Sequence, residues 1–141
     1  MGRLDVQFLD EGLHRVLFDA MPLPVFVVDN DSNILEFNAA AARLLVEGWQ
    51  TRRQRRSGDV LECLHATKSR GGCGRSSACS HCGLRAAVSA AFRGRPVKRQ
   101  WAAMELNRHG KPTVVSLRVS CQPFTYGKSD FVLLVLEGLG D

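Results

Sequence analysis

The last third of the chain holds three strand-like runs, 97–107, 113–124 and 130–137, joined by Arg108-His109-Gly110-Lys111-Pro112 and Thr125-Tyr126-Gly127-Lys128-Ser129. Connections this short and this rich in turn residues favour antiparallel pairing of consecutive runs. In the middle run Val115, Leu117, Val119 and Cys121 alternate with Ser116, Arg118, Ser120 and Gln122, which puts Cys121 on the buried face. A free cysteine packs as a small hydrophobe, so Cys121 needs no chemistry to explain it. The unbroken Phe131-Val132-Leu133-Leu134-Val135-Leu136 predicts a central strand covered on both faces, by the amino-terminal helix or by a second subunit.

Upstream punctuation supplies the partners for this sheet. Asp5 caps a segment in which Val6, Leu9, Leu13, Val16, Leu17 and Ala20 recur at helical spacing, ending before Pro22 and Pro24. Val25-Phe26-Val27-Val28 and Ile34-Leu35-Glu36-Phe37 read as strands of a hairpin, with the turn at 29–33. Asn38 is placed to cap an alanine-rich helix over 39–45, because its side-chain oxygen accepts from the first free amides. A further helix is expected over 84–92, with Leu84, Val88 and Ala91 on one face and Gly94 and Pro96 as its stop. With 141 residues, 45% of them hydrophobic, the chain can fill one core, and one domain is expected.

Four of the five cysteines, Cys63, Cys73, Cys79 and Cys82, fall in the spacing C-x9-C-x5-C-x2-C. Thiols this dense suggest a shared metal, since the two-residue gap of Cys79-Ser80-His81-Cys82-Gly83 lets a tight turn aim both sulfurs at one ion. Gly83 permits the close amide approach that thiolates favour. The amino terminus has no secretory apolar run, and nothing approaches the roughly 18 apolar residues of a membrane span, so a cytoplasmic setting with reduced thiols is expected. Zinc suits the knuckle-like pair; an iron-sulfur cluster takes the same four thiolates; unliganded thiols or disulfides are the third alternative. His65 is a further candidate ligand beside Cys63, or a hydrogen-bond donor to a thiolate. His81, inside the gap, is expected to be exposed, and His14 and His109 have no evident partner.

The net charge of +5 is clustered. Arg52, Arg53, Arg55 and Arg56 form one run, which reads as a solvated loop or as a surface for an acidic partner or nucleic acid. Lys68, Arg70, Arg75 and Arg85 surround the cysteines, where cations would offset the charge of about −2 on a divalent ion held by four thiolates. An enzyme is not indicated: no paired acid and base stands out, and Cys63-Leu64-His65-Ala66-Thr67 lacks the glutamate of a zinc deaminase.

Pro22 onward, the order of elements resembles a PAS domain. Leu23-Pro24-Val25-Phe26-Val27-Val28-Asp29 with Ile34-Leu35-Glu36-Phe37-Asn38-Ala39-Ala40-Ala41 is similar to its opening, and Phe92-Arg93-Gly94-Arg95-Pro96-Val97 with the closing runs is similar to the rest. The cysteine segment resembles that of a subgroup with Cys-x-His, Gly-Cys-Gly and Cys-x-x-Cys-Gly, here Cys63-Leu64-His65, Gly72-Cys73-Gly74 and Cys79-Ser80-His81-Cys82-Gly83. The resemblance implies an α+β fold, a five-stranded antiparallel sheet flanked by short helices, serving sensing and dimerisation in bacterial signalling. The expected organisation is an amphipathic helix over 1–21 and a PAS domain over 22–138 that contains the metal-binding segment 63–83. A homodimer is expected, with a separate output protein such as a kinase or regulator; nucleic acid and membrane are not expected partners. The alternative reading is a zinc-stabilised nucleic-acid binder using Arg52, Arg53, Arg55 and Arg56. Flavin-adduct chemistry is not indicated, since nothing resembles the Asn-Cys-Arg-Phe-Leu motif, and 84–92 lacks the histidine of haem-binding relatives. The ending Leu136-Glu137-Gly138-Leu139-Gly140-Asp141 lacks the usual Asp and Thr that couple to an output helix, so output is expected to pass to another chain, unless the chain is a fragment of a larger protein.

Overall fold

A computed structural model of the protein describes residues 11–45, 82–108 and 110–138. Its elements run α1 (Glu11–Ala20), β1 (Val25–Val28), β2 (Ile34–Phe37), α2 (Ala39–Ala42), α3 (Gly83–Phe92), β3 (Val97–Arg108), β4 (Lys111–Tyr126) and β5 (Ser129–Glu137). The strands form one antiparallel sheet in the order β2-β1-β5-β4-β3. The expected hairpin and closing strands are therefore all present, and β5 is the central strand.

Burial follows the two-residue period along β4 and β5, whereas β1 buries the adjacent Val25 and Phe26. Val132, Leu134 and Leu136 of β5, Leu117, Val119 and Cys121 of β4, and Phe26 and Val28 of β1 form the core with Leu84, Val88 and Ala91 of α3 and Ala41 of α2. The opposite face of β5 is covered only in part, because Phe131, Leu133 and Val135 remain half-buried. α1 buries its expected stripe only in part: Leu13 is half-buried, as is Phe18 beside the stripe, but Val16 is 63% and Leu17 55% exposed. Arg15 docks α1 to β2, donating to Glu36 Oε2 at 2.8 Å and to the Phe37 carbonyl at 3.2 Å. The segment before Glu11, where the helix was also expected, lies outside the described residues.

Two boundaries differ from the sequence pattern. Pairing of Arg108 with Lys111 and of Tyr126 with Ser129 shortens both five-residue connections to two residues. The ladder continues through exposed positions such as Lys111, Pro112 and Thr125, which an alternation of buried residues does not register. The helix expected over 39–45 ends at Ala42 and continues as a turn. α3 ends as predicted: Gly94, at φ 86°, donates to the Ala91 carbonyl while Arg95 donates to that of Ala90, a paired closure that satisfies the last carbonyls of the helix.

Candidate functional site

The carboxyl end of the cysteine segment enters the described structure at Cys82. Its extended backbone, φ −72° and ψ 117°, makes it the N-cap of α3, and its carbonyl accepts the Ala86 amide at 3.0 Å. The thiol itself makes no capping bond, is free of any disulfide, and is half-buried against the core. Gly83 follows because the helix start lies directly on β3: a Cβ there would stand 3.0 Å from the Ala102 Cβ. The small residue thus serves close helix–strand contact, a role the sequence reading had not assigned to it.

One turn further along α3, Arg85 pairs with Asp31 Oδ1 at 3.5 Å. Arg85 thereby ties α3 to the β1–β2 turn; its expected role of offsetting charge around the cysteines concerns a segment that lies largely outside the described residues. That turn is built on Asp29, whose Oδ1 accepts the amides of Asp31 at 3.0 Å and Asn33 at 2.9 Å, while Oδ2 accepts Asn33 Nδ2 at 3.1 Å. The network holds Ser32 buried at φ 62°, outside the usual range of an L residue. Sequence reasoning saw only a turn here; the Asp-x-x-x-Asn spacing was the available signal.

Cys63, Cys73, Cys79, His65 and His81 lie outside the described residues, as do Arg52, Arg53, Arg55, Arg56, Lys68, Arg70 and Arg75. Among the described residues no three His, Cys, Asp or Glu side chains gather as metal ligands. Cys121, 1% exposed, sits on β4 opposite Leu134, and burial pushes its thiol up to about 12. Only the thiolate ligates or attacks, so this group is inert at neutral pH and belongs to the core. His14 is exposed on α1. No described helix is long and apolar enough to cross a membrane.

A feature missed in the sequence lies on the other sheet face. Trp101, Arg118 and Glu137 form a cross-strand row over β3, β4 and β5. The Arg118 guanidinium lies 4.2 Å from the centre of the Trp101 ring and donates to the Arg99 carbonyl at 3.0 Å. Arg99 Nε in turn donates to Glu137 Oε1 at 3.2 Å.

A five-stranded antiparallel sheet in this order, with helices packed on one face, is a PAS-like fold, and residues 12–80 match the family model described as PAS domain. The PAS domain of nitrogen regulation protein NR(II) from Vibrio parahaemolyticus is similar in structure, with a TM-score of 0.56 at 15% identity over 90% of this chain and 98% of that one. An RNA-binding Light-Oxygen-Voltage receptor matches with a TM-score of 0.52 at 13% identity over 96% of this chain and 34% of that one. A chain of the E. coli DhaR(N)-DhaL complex matches with a TM-score of 0.50 at 17% identity over 94% of this chain and 37% of that one. The protein thus spans little more than a third of either of the last two chains. No curated protein matches it.

Proposed function

We propose that this PAS domain is a sensory and regulatory module of bacterial signal transduction, whose segment 63–83 binds zinc, or alternatively an iron-sulfur cluster, through Cys63, Cys73, Cys79 and Cys82. The observation that carries the reading is the position of Cys82. The last cysteine of the set is the N-cap of α3, and α3 is at once pressed on β3 through Gly83, tied to the β1–β2 turn through Arg85, and packed into the core through Leu84 and Val88. A change in ligation at Cys82 would therefore bear on a helix with three points of attachment. Cys82 suits ligation chemically, because its thiol is unused by the helix and only half-buried. When bound, the metal would cross-link the segment and fix its exit into α3; His65 is a further candidate to hold it or to bond a thiolate.

The module is read as a cytoplasmic homodimer that reports to a separate output protein. The exposed Val16 and Leu17 of α1 and the half-buried outer face of β5 are the surfaces a second copy would cover. That a chain of similar fold was solved in the DhaR(N)-DhaL complex supports output through another protein. The test is metal analysis with an absorption spectrum on protein purified without air: colour and iron select the cluster, zinc at one ion per chain selects zinc. Cys79→Ser and Cys82→Ser should each release the metal. Free reaction of all four thiols with a thiol reagent in the native protein would overturn the reading.

A further inference from the structure

β3 enters the sheet through an irregularity. Val97 stands opposite Cys121 and Gln100 opposite Val119, so three steps along β3 match two along β4 and one residue is extra. It is accommodated at Arg99, whose φ of 45° lies where residues other than glycine are disfavoured. A bulge strained in this way persists only where its surroundings hold it. Three contacts converge on Arg99: Ser120 Oγ accepts its amide at 2.9 Å, Arg118 donates to its carbonyl at 3.0 Å, and its Nε donates to Glu137 Oε1 at 3.2 Å. Arg118 is itself placed by the Trp101 ring, 4.2 Å from its guanidinium. The β5 side of this network is a firm anchor, because Gly138, at φ 104°, turns so close to β4 that a Cβ would stand 3.2 Å from the Ser116 carbonyl oxygen.

We propose that the Arg99 bulge is a conformational latch: its contact with Glu137 at the end of β5 sets the register in which β3 begins, and through it the position of the last turn of α3. Only residues 93–96 separate α3 from β3, and the amides of Gly94 and Arg95 are bonded to the Ala91 and Ala90 carbonyls, so the connection has little slack. When Arg99 relaxes to the extended region, the extra residue leaves the ladder. Val97 then withdraws from its place against the core, Lys98 is drawn opposite Cys121, and the connection, longer by one residue, no longer steadies the helix end. A cation at that position keeps the relaxed register a minor state, whose population rises as the latch weakens. The Arg99–Glu137 pair, with side chains 63% and 28% exposed, contributes little alone; its effect comes from acting on a residue already strained. α3 is thus gripped at both ends, by Cys82 before its first turn and by this latch beyond its last. The inference deepens the proposed regulation, and rests on that reading only for the part Cys82 plays.

The test is hydrogen exchange on the full chain, read over residues 89–92 at the end of α3, with Val25–Val28 as the internal control. Glu137→Gln keeps the shape of the side chain but not its charge, and should speed exchange over 89–92 by about fivefold, the factor an exposed ion pair at the top of its usual range supplies. Ser120→Ala removes the acceptor of the Arg99 amide and should act in the same direction. Arg99→Gly is the discriminating variant. Glycine takes a φ of 45° freely, so the bulge should survive loss of the guanidinium and exchange over 89–92 should stay within about twofold of native. A plain surface pair predicts the opposite, with Arg99→Gly loosening the helix end at least as much as Glu137→Gln. That outcome, unchanged exchange over 89–92 in Glu137→Gln, or an acceleration shared by Val25–Val28 would each overturn the assignment. Metal content of the same samples reports separately on the cysteine site, so failure of one reading is not mistaken for failure of the other.

Discussion

The side-chain oxygen of Asn38 accepts the backbone N–H of Val25 at 3.0 Å and that of Ala41 at 2.9 Å, so one carboxamide caps α2 and fastens it to the first residue of β1. Its Nδ2 donates to the Leu23 carbonyl at 2.9 Å, and the residue is fully buried. Asn38→Ala strands two buried amides and a carbonyl, and should lower stability by about 3 kcal/mol in urea denaturation. Asn38→Asp should recover only part of this, because it keeps the acceptor but loses the donor to Leu23. A loss below about 1 kcal/mol for the alanine variant, the scale of a simple cap, would mean the link to β1 adds nothing.

The contact of Gly83 with Ala102 sets two effects against each other. Alanine improves a helix by up to about 1 kcal/mol over glycine, but a Cβ 3.0 Å from the Ala102 Cβ forces strand and helix apart. Because both atoms sit on backbone elements, overpacking should win, and Gly83→Ala should destabilise by roughly 1–2 kcal/mol. Adding Ala102→Gly removes the clash, so the double variant should be more stable than Gly83→Ala alone. Additive losses in that cycle would refute the packing account.

The Cys121 thiol titrates at about 12 in the folded protein against an ordinary 9.0, because burial disfavours the thiolate. Between these values the unfolded chain loses this proton first, so rising pH favours unfolding. The contribution of Cys121 is intact below about 9 and is lost as pH climbs to about 12. Stability of the native protein should therefore fall more steeply above pH 9 than that of Cys121→Ala, with a difference on the order of a few kcal/mol across the window. Parallel curves for the two proteins would contradict it.

If the cysteine segment carries zinc, mild peroxide should leave hydrogen exchange over Gly83–Phe92 unchanged while metal is retained, with Lys111–Tyr126 as the internal control. Faster exchange confined to α3 would instead identify the site as redox-responsive, as a cluster or a labile thiolate pair requires.

The sequence by itself determined the secondary elements and the class of fold, because alternation in 113–124, the apolar run of β5, the Asn38 cap and the Gly94 stop are each local patterns with one cheap geometry. It also placed Cys121 in the core, since the period of two assigns its face without reference to any partner. Only the tertiary structure decided what those elements touch. That Gly83 lies on Ala102, that Arg85 pairs with Asp31, that α1 leaves Val16 and Leu17 exposed, and that Arg118 of β4 meets Arg99 and Trp101 of β3 all depend on where distant segments pack. Such contacts join residues tens of positions apart. Their energies depend on distance in space, and a one-dimensional pattern of residue types carries no record of that distance.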